Sequence, residues 1–325
     1  MKQYLPDNHK QRMWMAIAAT ILITLPLGLL SIYAAGEYGM ALFMLLPSAI
    51  GMIPVLIYGQ KKEVNRKEAF FIGLLTLIIF CIALIAFAIE GVICIVMASP
   101  LAIFFTWLGS AVGCALVKGK PGSSPVAILV MVTVIPAMSF MEKDAEPELT
   151  SVTTSIEIAA SPRMVWQNVI AFPQIRAPHE FLFKAGIAYP TDARIDGTGV
   201  GAVRHCNFTT GSFVEPITVW DEPRLLKFSV EEQPTPMREL SFWDINAPHL
   251  HDYFVSKQGQ FKLIPLPNGN TLLEGTTWYY HDIRPAFYWR PWSTYIIHKI
   301  HERVLRHIKE NAEKDNAMRA NKIMK

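Results

Sequence analysis

The 325-residue sequence has little net charge and few cysteines. Lys and Arg total 30 against 27 Asp and Glu, a formal charge of +3. That balance is too small, and the basic residues too scattered, for a nucleic-acid partner. Of four cysteines, Cys81, Cys94 and Cys114 lie in apolar runs and Cys206 stands alone in the second half. The second half therefore has no internal disulfide, and no cysteine pair has the spacing of a metal motif. No Gly-x-Ser-x-Gly occurs, which removes the usual nucleophile elbow. The most informative absence is charge itself, missing from long stretches before residue 142.

A mean hydropathy of +0.27 averages two unlike halves. Residues 1–141 hold apolar runs at 14–35, 38–58, 69–89 and 91–117, with a shorter uncharged run at 125–141. About 20 apolar residues cross a bilayer, so the region reads as a membrane all-α bundle of about five transmembrane helices. A cleaved signal peptide would be one short segment, and several long ones exclude that reading. Lys2, Lys10 and Arg12 precede the first run. Lys61, Lys62, Arg66 and Lys67 separate the second and third, and Lys118 and Lys120 the fourth and fifth. The alternate connections carry only Glu37 and Glu90. By the positive-inside rule the N-terminus is cytoplasmic and the second half extracytoplasmic, periplasmic if the membrane is a bacterial inner membrane. Glu90, the one candidate for an intramembrane ionisable group, sits at a turn where water is expected to reach it. The region therefore reads as an anchor rather than a transport pathway.

Residues 142–151 form a charged linker, 152–314 a folded domain and 315–325 a polar tail. TTSIEIAA alternates as a strand. Ser161 and Pro162 then start a helix in which Val165, Val169 and Phe172 share one face. From Gly186 the chain is strand after strand, punctuated by Asp-Gly, Thr-Gly, Glu-Pro and Asn-Gly turns. The final helix starts near Pro291, with Ile297, Ile300, Val304 and Ile308 in one stripe. A sheet with one wet face must bury the other, and only this helix is long enough to cover it.

The order of elements, the SPRMVW helix start and the segment GTGVGAVRHCNFTTGSFVEPITVWDEPRLLKFSV resemble the START-like (SRPBCC) superfamily, which includes polyketide cyclases and lipid-transfer domains. The resemblance covers residues 150–314. It implies an α+β helix-grip domain, with an antiparallel sheet wrapped around a long C-terminal helix and a hydrophobic cavity between them. The superfamily holds enzymes, carriers and sensors, so the resemblance implies no single activity. The expected function is binding of a lipid or other hydrophobic small molecule by a membrane-anchored domain, with membrane lipids or that molecule as partner. The alternatives are an enzyme of the cyclase or hydrolase type and a ligand-free sensor or interaction module.

Candidate ligand-binding residues are the aromatics Phe208, Phe213, Trp220, Phe228, Trp243, Phe261, Trp278, Tyr280 and Tyr295. For acid–base work the candidates are His205, His281 and Asp282, since histidine titrates near neutral pH. A one-residue register slip would exchange His205 for Cys206 on the cavity face. His249 and His251, with His205 or His281, have zinc-ligand chemistry. No acidic or Cys partner stands at a recognisable spacing, so they read as solvated loop histidines, and neither metal nor cofactor is expected. His298, His301 and His307 read as structural or solvent-facing. Two long pieces, residues 231–257 and 281–292, exceed a hairpin connection and are expected near a cavity mouth or a lipid surface.

Overall fold

A computed structural model describes residues 5–119, 124–142, 146–241, 243 and 245–323. Lys2, Lys120, linker residues 143–145 and the end of the polar tail lie outside them. The chain forms two compact units. A helical unit takes residues 1–146 together with 239–249 and 283–286, and a sheet unit takes most of the rest. The two long pieces, expected near a cavity mouth or a lipid surface, thus each lend a short segment to the helical unit.

In the helical unit, α1 (His9–Leu29) widens into a π-helical stretch, Leu30–Ala35. A second such stretch, Ala41–Leu45, runs into α2 (Leu46–Tyr58). Then come α3 (Arg66–Ala86), α4 (Val92–Gly119) and α5 (Ser124–Glu142). Five helical segments, His9–Ala35, Ala41–Tyr58, Arg66–Ala86, Val92–Lys118 and Pro125–Glu142, are long and apolar enough to cross a membrane. Every residue of α2 except Ser48 is buried, so it is the central helix.

Close approach rests on small residues: a side chain at Gly51 would collide with the Thr106 carbonyl, and one at Gly109 with the Ser48 carbonyl. The hydroxyls of Thr106 and Ser110 donate to the carbonyls of Pro47 and Gly51, each at 3.2 Å. Where lipid is as apolar as leucine, such packing and hydrogen bonding hold helices together. Leu22, Phe71 and Leu129 point outward, as a hydrocarbon surrounding permits. At one end Lys61 pairs with Asp7 at 2.8 Å. At the other, the Glu142 carboxylate accepts from the backbone N–H groups of Met40 and Ala41 at 3.1 and 3.4 Å, a helix N-terminus where negative charge is stabilised.

The sheet unit opens with β1 (Thr150–Ile158), α6 (Pro162–Ile170) and a single turn, α7 (Phe181–Lys184). Strands β2 (Pro190–Asp196), β3 (Val203–Phe208), β4 (Gly211–Asp221), β5 (Leu225–Ser229), β6 (Phe254–Pro265) and β7 (Thr271–His281) follow. Helix α8 (Ala286–Ile323) closes the chain, starting before Pro291 and running through most of the expected tail. The sheet is antiparallel throughout, in the order β1-β7-β6-β5-β4-β3-β2. Register shifts at Ser256/Gln258, Ile217/Val219 and Pro190/Asp192 help it curl. Val304, Leu305 and Ile308 of α8 pack into one core with Leu226, Phe261, Leu273 and the α6 residues Val165 and Trp166. This curled sheet gripping a C-terminal helix is the helix-grip architecture.

Candidate functional site

Between the curled sheet and α8 lies a cavity of about 120 Å³. Its walls are Phe208, Phe213, Phe228 and Phe261, with Ile297, Ile300 and Val304 from the helix. Space exists because the inward positions of β6 and β7 are small. Ser256, Gly259, Gly275 and Thr277 stand where larger side chains would fill the volume. At Gly259 the fit is tight: an added Cβ would come within 2.5 Å of the Phe228 ring lying across it. An apolar cavity of roughly 150 Å³ accepts benzene, so this one has room for about one ring or a short chain.

One ion pair stands in this apolar surround. Arg204 on β3 and Glu215 on β4 are cross-strand partners, both buried, and the guanidinium donates to the carboxylate. Three rings, of Phe172, Phe228 and Phe261, lie 5.5–5.6 Å from the guanidinium carbon. Burial pushes the Glu215 carboxyl above its ordinary range while Arg204 pulls it back. Arg204 Nε has no hydrogen-bond partner among the described residues. Cys206 also faces the cavity, and burial raises its thiol to about 12, so it is a neutral thiol rather than a nucleophile. Burial, aided by His298, lowers His301 to about 4. Its Nδ1 and Nε2 already meet the hydroxyls of Thr154 and Thr277 at 3.1 and 2.8 Å. The arrangement desolvates a small apolar molecule beside a permanent cation that is paired with Glu215.

Solved structures resemble about half of this chain. A protein from Nitrosospira multiformis is 18% identical, with 52% of this chain and 99% of that one covered and a TM-score of 0.33. A START superfamily protein from Mycobacterium smegmatis is 14% identical, covering 50% and 97%, with a TM-score of 0.33. Norcoclaurine synthase from Thalictrum flavum, a point mutant bound to a transition-state analogue, is 12% identical, covering 51% and 98%, with a TM-score of 0.31. At these values the likenesses carry nothing about ligand or reaction. No protein-family model matches the chain, and no curated protein does.

The cavity brings together four of the nine aromatics singled out in the sequence, Phe208, Phe213, Phe228 and Phe261. Trp220 packs edge-on to Trp166 at 5.5 Å, beside the core and outside the lining. Trp278 and Tyr280 face away, because the pleat turns Thr277 and Tyr279 toward α8; Lys227 and Lys257 lie over their rings. Tyr295 is half exposed on α8, and Trp243 is 57% exposed within the helical unit. His205 alternates with the inward Arg204 and Cys206, and pairs at 3.5 Å with the exposed Asp196. His281 and Asp282 are half-buried and outside the lining. The sequence reading missed Arg204 and Glu215. Alternation of Arg204 with Cys206 and Phe208 was the available signal for the first.

His298 accords with its structural reading, meeting Thr154 at 2.7 Å, as does His307, which reaches the Pro173 carbonyl. Two expectations in the helical unit are overturned. Glu90 is buried rather than water-exposed, and the Tyr38 hydroxyl donates to it at 2.9 Å. His249 is only 6% exposed. A 3-10 turn, Pro248–Leu250, replaces the extended backbone that would align it with the exposed His251. His249 lies instead among Glu90, Cys94 and Glu239.

Proposed function

We propose that this is a membrane-anchored binding protein whose sheet unit takes up a small apolar molecule carrying one hydrogen-bond acceptor. The observation that carries the reading is the cavity itself, a space lined by phenylalanine and vacated by glycine, with Arg204 in its wall. Its volume favours a single ring or a short acyl chain over a complete two-chain lipid. The acceptor is a carboxylate, carbonyl or phenol oxygen, because the guanidinium of Arg204 in the wall is a permanent cation and donor. The five apolar helices serve as the anchor, and tethering keeps the cavity near molecules that partition into a bilayer.

In this reading the basic connections face the cytoplasm and the sheet unit works on the other side, in the periplasm of a bacterial cell. The pairing of Lys61 with Asp7, which joins the N-terminal residues to the second basic connection, supports the shared side.

The test is native mass spectrometry of the full chain released from detergent, as purified and after incubation with medium-chain fatty acids and aromatic carboxylic acids. The expected result is one small adduct, lost in Gly259→Val, where the added side chain drives Phe228 into the cavity, and weakened about tenfold or more in Arg204→Met. A chain that stays bare under every incubation would overturn the reading.

A further inference from the structure

Four metal-ligating side chains converge within the helical unit, where nothing in the cavity reading calls for them. Glu90 and Cys94 stand four residues apart at the start of α4, and Glu239 and His249 bracket the segment 239–249. Cys94 Sγ lies 2.7 Å from Glu239 Oε1 and 3.1 Å from His249 Nε2. Glu239 Oε1 and His249 Nε2 are 3.7 Å apart, and Glu90 Oε2 lies 3.5 Å from His249 Nδ1. Donor atoms of Glu90, Cys94 and His249 all fall within 4.8 Å of one another. Around one tetrahedral ion with bonds of about 2.0–2.3 Å, neighbouring donors are separated by roughly 3.3–3.8 Å.

Charge makes the same demand as geometry. Glu90 and Glu239 are both buried, and among the described residues no Lys or Arg pairs with either. A carboxylate buried as an anion needs a paired cation or a metal. Glu239 Oε2 and His249 Nδ1 have no hydrogen-bond partner among the described residues, although both side chains are more than nine-tenths buried.

The surroundings are shaped to hold this group. The Glu239 carboxylate occupies the space that a side chain at Gly91 would fill. Val92 N–H donates to the Leu240 carbonyl at 3.4 Å, which draws the segment onto the helix start. Tyr38 donates its hydroxyl to Glu90 Oε1 and leaves Oε2 toward the histidine, and its ring meets the imidazole edge-on at 5.0 Å. Outer partners of this kind orient metal ligands.

We propose that Cys94, Glu239 and the Nε2 atom of His249 bind one divalent transition-metal ion of the zinc class, with Glu90 on Nδ1 as the outer partner that orients the imidazole. One sulfur, one imidazole nitrogen and one carboxylate form a mixed set that suits zinc, whereas calcium and magnesium take oxygen donors alone. Binding releases the Cys94 thiol proton to solvent, and the ion's two positive charges then meet the Cys94 thiolate and the Glu239 carboxylate. Three protein donors then fasten residues 239–249 to the first turn of α4 through the ion, and the fourth position is left to a water molecule.

The experiment uses the full chain, purified in detergent without chelator, stripped, and then titrated with zinc while elemental analysis and a competing indicator follow binding. One zinc per chain is expected. Cobalt in its place is expected to show a thiolate-to-cobalt charge-transfer band, lost in Cys94→Ser, whereas Cys81→Ala retains both ion and band. His249→Ala is expected to weaken binding at least a hundredfold. Because a ligand variant can fail by misfolding, the wild type decides. A folded wild-type chain that takes up no stoichiometric zinc, or whose cobalt form lacks the sulfur band, overturns the proposal.

Discussion

The sheet unit and the helical unit both bury carboxylates, but they compensate them differently. Glu215 meets its counter-charge across one strand pair, where Arg204 is its register partner and three aromatic rings enclose the cation. Glu90 and Glu239 meet a thiol and an imidazole instead, with no Lys or Arg paired to them among the described residues. A carboxylate with an arginine beside it is complete within the chain. Two buried carboxylates with a thiol, an imidazole and the Tyr38 hydroxyl around them, and no Lys or Arg paired to them among the described residues, call for a cation from outside it. The same burial thus has different consequences: a closed pair beside a cavity in one unit, and a ligand set in the other.

The comparison can be broken most sharply at Arg204. Arg204→Met leaves Glu215 buried and unpaired and should cost about 3–5 kcal/mol, whereas Arg204→Met with Glu215→Met should recover most of that loss. Thermal unfolding of the full chain in detergent, followed by near-ultraviolet circular dichroism, reads both; a single variant as stable as the double would refute the pairing.

Next in size is the pH response of His301, lowered from 6.5 to about 4 by burial. Above pH 6.5 the imidazole is neutral in both folded and unfolded chains, and its contribution is complete. As pH falls the unfolded chain takes the proton first, so stability drops by on the order of 3 kcal/mol by about pH 4. Denaturant titrations across that window should show the drop, and His301→Gln should remove it.

In the helical unit, a chelator should lower the wild type by about 2.7 kcal/mol if the free ion had stood at a hundred times its dissociation constant, and should leave His249→Ala unmoved. Differential scanning calorimetry with and without chelator separates the two. Gly259→Ala should cost about 1–3 kcal/mol by crowding Phe228, with ligand uptake falling alongside. Equal uptake would mean the ring has another place to go. The smallest effect belongs to Tyr38→Phe, which removes the hydrogen bond to Glu90 at a cost of about 1 kcal/mol in the same melts.

Much of the architecture is legible locally. Five apolar runs of bilayer length become five helices of nearly the same bounds, because hydrocarbon thickness acts on each segment separately. Alternation marks the strands, and the stripe of Ile297, Val304 and Ile308 turns inward as its spacing requires. The cavity was less legible, since large aromatics drew attention while the positions that create space are Gly259, Gly275 and Thr277. Alternate small residues on β6 and β7 were the overlooked signal.

What the sequence by itself determined is therefore the five long apolar helices, the order of strands and the covering helix, all set by hydrophobic length and period within short windows. Only the tertiary structure decided that Cys206 rather than His205 faces the cavity, that Arg204 meets Glu215, and that Cys94 meets Glu239 and His249 across 145 and 155 residues. Those meetings depend on strand register and on the return path of a long connection. Neither is set by the residues nearby in the chain, because a one-residue slip or a different loop course would keep every local pattern and change every partner.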